Sequence, residues 1–301
     1  ENVISALDVD NIYKIPLRFR DQGLGEAILK KLALPKKSES FSAWEQWIDA
    51  SETCSREVNI SVVGKYVQHG DSYKSLYEAL YHAGVANGVK VQIDIVESDD
   101  ITHWNLDELF ADAHGILVPG GFGIRGIEGM IKAVEFARTR KRPFFGICLG
   151  MQMASIEFIR NVAGIKDAHS GEFDETPANL VFKKLKELQG VDSMGHNMRL
   201  GNFSCLLKKG TLAQSVYNSD KILERHRHRY EFNPEFERVI EENGMIISGK
   251  NPERNLVEIV ELREHPWFIG CQFHPEFKSK PLTPHPLFTS FIRAAKENQA
   301  T

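Results

Sequence analysis

The chain has 301 residues, is 42% hydrophobic and 26% charged, and carries a net charge of −4. That length suits one or two domains with a real core, and the composition is that of an ordinary globular protein. The mild negative charge gives no basic field for nucleic acid or an anionic membrane, and no apolar run approaches a membrane span.

Residues 1 to about 52 differ in texture from the rest. "DQGLGEAILKKLAL" (21–34) has helical spacing of Leu24, Ile28 and Leu32, "PKKSES" breaks it, and "FSAWEQWIDA" predicts a second short helix. The start lacks a Met and does not resemble a signal peptide, so the sequence reads as a piece of a longer chain. From residue 57 the pattern becomes α/β. "VNISVVGKYV", "KVQIDIVES", "AHGILVPGG" and "RPFFGI" predict strands. "SYKSLYEALYHAGVANG", "GIEGMIKAVEFARTRK" and "CLGMQMASIEFIRNVAG" predict the helices between them. Such alternation implies a mostly parallel central sheet with helices on both faces, whose functional groups gather at the carboxyl ends of the strands. In the second half, "KILERHRHRYEFN", "GMIISGK", "NLVEIVEL" and "WFIGCQF" read as strands and "PHPLFTSFIRAAKENQ" as a closing helix. Residues 175–195 are polar and poorly patterned. Four widely spaced cysteines form neither a zinc pair nor a disulfide framework, which points to a reducing compartment, the cytosol.

Three stretches carry chemistry. "GFGIRG" (121–126) matches G-x-G-x-x-G after a strand and before a helix, yet no acidic residue follows at the spacing a ribose needs. A tight turn and a set of backbone N–H groups for an oxyanion remain equally open. "VVGKY" and "ISGKN" fail as phosphate loops. Gly146-Ile147-Cys148-Leu149-Gly150 is the sulfur counterpart of the G-x-S-x-G elbow, in which a sharp strand-to-helix turn presents the nucleophile at a helix start. The elbow alone leaves a buried structural cysteine as open as a nucleophile. "CQFHPEF" then supplies His274 and Glu276 at a strand end, where alternation would turn both to one side and let the carboxylate orient the imidazole. Cys271, without flanking glycines, reads as a buried strand residue. In "ERHRHRYEF", Arg225, Arg227 and Arg229 fall on one face of a strand and His226, His228 and Tyr230 on the other. The arginines make either a solvated edge or a carboxylate clamp.

With "PGGFGIRG", "GICLGMQ", "MRLG", "ERHRHRYE" and "CQFHPEF" in this order, the chain resembles the glutaminase part of the CTP synthases, within the class I (triad) glutamine amidotransferases, a flavodoxin-like fold. The resemblance runs through nearly the whole chain. It implies that residues 1–52 are the tail of a synthase domain with its linker and 53–301 the amidotransferase domain. It implies Cys148 as nucleophile, His274 as base and acid, and Glu276 as its orienter. Gly121 and Leu149 would form the oxyanion hole, and Gly150, Met151, Gln152, Glu172 and Arg229 would complete the glutamine site, Glu172 on the amino group and Arg229 on the α-carboxylate. No cofactor or metal is implied in this chain. The resemblance further implies that ATP, Mg²⁺ and UTP belong to the synthase domain, that GTP is the activator, and that the full-length enzyme is a homo-oligomer, a tetramer, in the cytoplasm. The chain departs from the family at His169-Ser170-Gly171-Glu172-Phe173 and at Gly195-His196-Asn197, the latter in a lid region tied to GTP. A γ-glutamyl hydrolase or another amidotransferase subunit is the alternative within hydrolases. A non-catalytic nucleotide-binding or assembly module is the alternative outside them.

Overall fold

The computed structural model describes residues 3–35, 40–65, 70–184 and 198–299. Its contacts divide the chain into two units, Glu1–Ser55 and Arg56–Thr301. The first unit holds helices α1 (Ile15–Asp21), α2 (Leu24–Lys31) and α3 (Ser42–Thr53). Helix α1 is not apparent from the residues, because Pro16 looks like a breaker. It sits within the first turn, where no N–H is needed. Gly23 separates α1 from α2 in a left-handed conformation (φ 75°), so the expected 21–34 helix starts late. Helix α3 buries Trp47 and Ile48, and Trp47 meets the Tyr13 ring edge-on at 4.9 Å.

The second unit runs β1 (Glu57–Gly64), α4 (Lys74–Ala86), β2 (Lys90–Glu97), α5 (Leu106–Leu109), β3 (Gly115–Val118), α6 (Ile127–Thr139), β4 (Phe144–Ile147), α7 (Leu149–Asn161), β5 (His169–Ser170), β6 (Leu180–Lys184), β7 (Arg199–Leu207), α8 (Leu212–Tyr217), β8 (Lys221–His228), β9 (Tyr230–Phe232), α9 (Glu237–Glu242), β10 (Met245–Lys250), β11 (Val257–Leu262), β12 (Phe268–Cys271) and α10 (Pro286–Asn298). Among the described residues one sheet has the order β2-β1-β3-β4-β12-β11-β10-β7-β8, and a small one the order β5-β6-β9. The first five strands of the large sheet are mutually parallel, as expected. The other four continue it antiparallel, a wing that the βα alternation of the first half does not announce.

Alternation along the parallel strands feeds two apolar layers. Phe144 and Phe268 stack at 4.5 Å on the face covered by α6, α7 and α9. Phe145 and Ile269 join α4, α8 and α10 on the other, where Phe145 meets Trp267, Phe288 and Phe291. Burial on both faces explains why these strands read as short apolar runs rather than alternating ones.

One expected strand is two. Residues 221–228 alternate as predicted, with Arg225 and Arg227 exposed and His226 and His228 buried. At Arg229 the ladder stops: β8 pairs with β7 in the large sheet, whereas β9 pairs with β6 in the small one. The stretch has no glycine or proline to announce the change. Partner strands distant in sequence impose it.

Candidate active site

The carboxyl ends of four parallel strands converge. β1 delivers Lys65, β3 the Pro119–Gly121 loop, β4 Cys148, and β12 the segment Gln272–Glu276. A cleft at this edge is lined by Gly120, Gly121, Cys148, Arg227, His274 and Glu276.

Cys148 sits at φ 51°, ψ −100°, just before the first residue of α7, and is 3% exposed. A non-glycine residue rarely holds such angles, at a cost of about 1–3 kcal/mol. The flanking glycines make the turn possible. A Cβ on Gly146 would lie 2.7 Å from the Gly150 backbone, and one on Gly150 only 2.0 Å from the Val118 carbonyl oxygen. The turn is anchored by the Cys148 N–H, which donates to the Cys271 carbonyl at 2.7 Å. The sulfur accepts a 3.6 Å contact from the Gln272 amide, which in turn accepts from Gln152 at 3.3 Å.

His274 Nδ1 and Glu276 Oε1 are 2.7 Å apart. The strand-end explanation for this contact needs correcting. β12 ends at Cys271, and His274 instead precedes a single 3₁₀ turn, Pro275–Lys278. Pro275 starts that turn, which folds Glu276 back to the imidazole; strand alternation plays no part. The His274 N–H donates to the Arg225 carbonyl at 2.7 Å, tying the segment to β8. Burial alone would lower the imidazole's pKa, but Glu276 and then the Cys148 sulfur outweigh it and hold it well above the usual histidine value. Nε2, buried and without a hydrogen-bond partner of normal geometry among the described residues, is left for the sulfur and a reacting group.

Gly120 explains how Cys148 and His274 come so close to the loop. A Cβ there would stand 2.7 Å from His274 Cε1 and 3.6 Å from Cys148 Cβ. One on Gly121 would touch the Leu149 side chain at 3.2 Å, so the two expected oxyanion residues are neighbours. Leu149, first in α7, has an N–H with no intrahelical acceptor. Gly150 and Met151 lie inside, Gly150 against Val118 and Met151 against Gly270, so the Met151 side chain serves packing. Gln152 is 2% exposed behind the sulfur, its Oε1 without a partner among the described residues.

Glu172 and Arg229 lie near one another by the glycine loop but are not among the residues that line this cleft. Glu172 Oε1 accepts from the Gly123 N–H at 3.0 Å, and burial raises its pKa, opposed by Gly123, Lys65 and Arg229. The Arg227 and Arg229 guanidinium carbons each lie 5.9 Å from the Phe122 ring centroid. The departure at Gly171 is harmless, because a Cβ there would find its nearest neighbour at 3.4 Å. Gly195-His196-Asn197 and residues 185–195 of the lid region lie outside the described residues.

The residues alone did not single out Lys65, Gln272 or Phe122. Only their positions at the ends of β1 and β12 and within the glycine loop could have flagged them. Burial pushes the Cys271 thiol well up, in keeping with a packing role. No described helix is long and apolar enough to cross a membrane.

This geometry has relatives. The family model for class-I glutamine amidotransferases matches residues 69–294. The chain belongs to the class-I glutamine amidotransferases. Within them, the solved glutaminase domain of Trypanosoma brucei CTPS, with acivicin bound, is 38% identical with a TM-score of 0.74, covering 80% of this chain and 94% of that one. A CTP synthase of Acidobacterium capsulatum is 50% identical over 296 residues, 98% of this chain and 54% of the relative. That of Geobacter sulfurreducens is 50% identical over 298 residues, 99% and 56%. The chain thus spans about half the length of the curated relatives it matches, and the match covers the glutaminase portion of this amidotransferase family.

Proposed function

We propose that this chain is the glutaminase part of a CTP synthase and hydrolyses L-glutamine to glutamate and ammonia. The observation that carries this is the 2.7 Å His274–Glu276 pair beside a strained Cys148, with the Gly120–Gly121 loop lining the same cleft. The Cys148 thiolate attacks the γ-carboxamide carbon, and the tetrahedral oxyanion faces the Gly121 and Leu149 N–H groups. Loss of one such donor typically costs about a hundredfold or more in rate. Imidazolium His274 gives its proton to the amide nitrogen, the C–N bond breaks, and ammonia leaves with Cys148 acylated. His274 then takes a proton from water, whose oxygen attacks the thioester, and the thiolate departs from glutamate. Glu172 and Arg229 present opposite charges suited to an α-ammonium and an α-carboxylate.

Ammonia then passes to a synthase part that lies outside this chain, where ATP, Mg²⁺ and UTP are used to make CTP. GTP activates, and the assembled enzyme is a cytosolic homo-oligomer. The test is alkylation by acivicin, the compound bound in the Trypanosoma brucei domain. A single adduct on Cys148 by mass spectrometry, together with ammonia release from glutamine that Cys148→Ala abolishes, is expected. Cys148 recovered unmodified would refute the assignment.

A further inference from the structure

Lys65 closes β1 and is 1% exposed. A buried ammonium is costly unless it has partners. Its acidic neighbours Glu172 and Asp99 act on it through space, Arg125 opposes them, and burial, the largest effect, brings its pKa down to about 8. Its direct partners are carbonyl oxygens of the glycine loop. Nζ donates to Phe122 O at 3.4 Å and, more closely, to Gly123 O. The same Phe122–Gly123 peptide gives its N–H to Glu172 at 3.0 Å. One peptide plane is therefore held at both edges, by a cation on its oxygen and a carboxylate on its N–H. The lysine stem passes beneath Gly121, where a Cβ would lie 3.9 Å from Lys65 Cδ, and Nζ stands 5.6 Å from the Phe173 ring centroid. At its other end, the Lys65 N–H donates to the Tyr73 hydroxyl at 3.3 Å.

We propose that Lys65 is a positioning residue that clamps the Phe122–Gly123 peptide and so keeps the Gly121 N–H aimed at the developing oxyanion. It touches no reacting atom; it acts through the loop. This rests on the assignment of Gly121 as an oxyanion donor and Cys148 as nucleophile. A fixed donor counts in the transition state and little in the ground state, so the effect falls on kcat rather than KM.

The experiment compares this chain with Lys65→Met and Lys65→Gln in glutamine hydrolysis and in alkylation of Cys148 by iodoacetamide, which needs the thiolate but no oxyanion hole. Lys65→Met should lower kcat by about tenfold to a hundredfold, change KM by less than about threefold, and leave the iodoacetamide rate within about twofold. Lys65→Gln, which keeps one donor, should fall between. If Lys65→Met does not fold, Lys65→Gln is judged by the same criteria. A kcat within about threefold of wild type, a parallel loss of both rates, or failure of both variants to fold would overturn the proposal. The last two would make Lys65 a structural residue. Wild-type chain that releases no ammonia would instead sink the underlying glutaminase reading, and this proposal with it.

Discussion

Gly120→Ala inserts one methyl between nucleophile, base and loop. The new Cβ would lie 2.7 Å from His274 Cε1, against about 3.5 Å for ordinary carbon contact. Something must therefore yield by about 0.8 Å. The alanine backbone itself is unstrained, since Gly120 is not among the positive-φ residues. The imidazole is held by Glu276, the His274 backbone by the Arg225 carbonyl, and the loop by Lys65 and Glu172. Whichever gives way, either the sulfur–imidazole spacing or the Gly121 N–H is misplaced. A displacement of about 1 Å costs about a hundredfold in rate, or about 2.7 kcal/mol of transition-state stabilisation. Ammonia release from glutamine at saturation should fall by that factor, and Tm should stay within about 2 °C of wild type, because Gly120 lines an open cleft and the methyl displaces no core. Activity within about threefold of wild type at unchanged Tm would refute the argument, showing that the base is not held where the geometry puts it.

Two further outcomes follow from the charges. Glu276→Gln removes the partner that raises His274. A histidine whose folded pKa exceeds its unfolded value of about 6.5 adds stability that is complete below that pH and fades as pH climbs through the folded value. The Tm gap between wild type and Glu276→Gln should therefore be wider at about pH 6 than at about pH 9.5, and calorimetry showing the reverse would contradict the assignment. Arg199, 4% exposed, is ion-paired with Glu258 at 2.7 Å and Glu231 at 3.3 Å, where burial pushes these carboxyls up to about 7 and about 8. Arg199→Met leaves both without their cation once ionised, a loss of about 3–5 kcal/mol, or roughly 8–15 °C in Tm, above about pH 8. The raised carboxyls take up protons as pH falls, so the deficit should shrink towards about pH 5. Thermal melts across this range decide it.

Local patterning was enough to place the first four parallel strands, the helices α4, α6 and α7, the cysteine elbow and the late His-Pro-Glu, because each depends on neighbours in sequence. Strands buried on both faces are short apolar runs, and an elbow needs glycine at two fixed offsets from its nucleophile. The rest depends on distant partners. The sheet change at Arg229 arises from partner strands far apart in sequence, with no glycine or proline to mark it, and the order of the antiparallel wing β11-β10-β7-β8 is set by which strands meet rather than by local pattern. Likewise, His274 meets Glu276 through a 3₁₀ turn rather than a strand. Lys65 looked like part of a failed phosphate motif, and nothing near it in sequence tells otherwise. Its value comes from carbonyls 57 and 58 positions away, brought to it only when β1 and β3 lie side by side. The cysteine and its two glycines were legible as an elbow; that its sulfur shares a cleft with an imidazole and a glycine loop was decided by the sheet that aligns their strand ends.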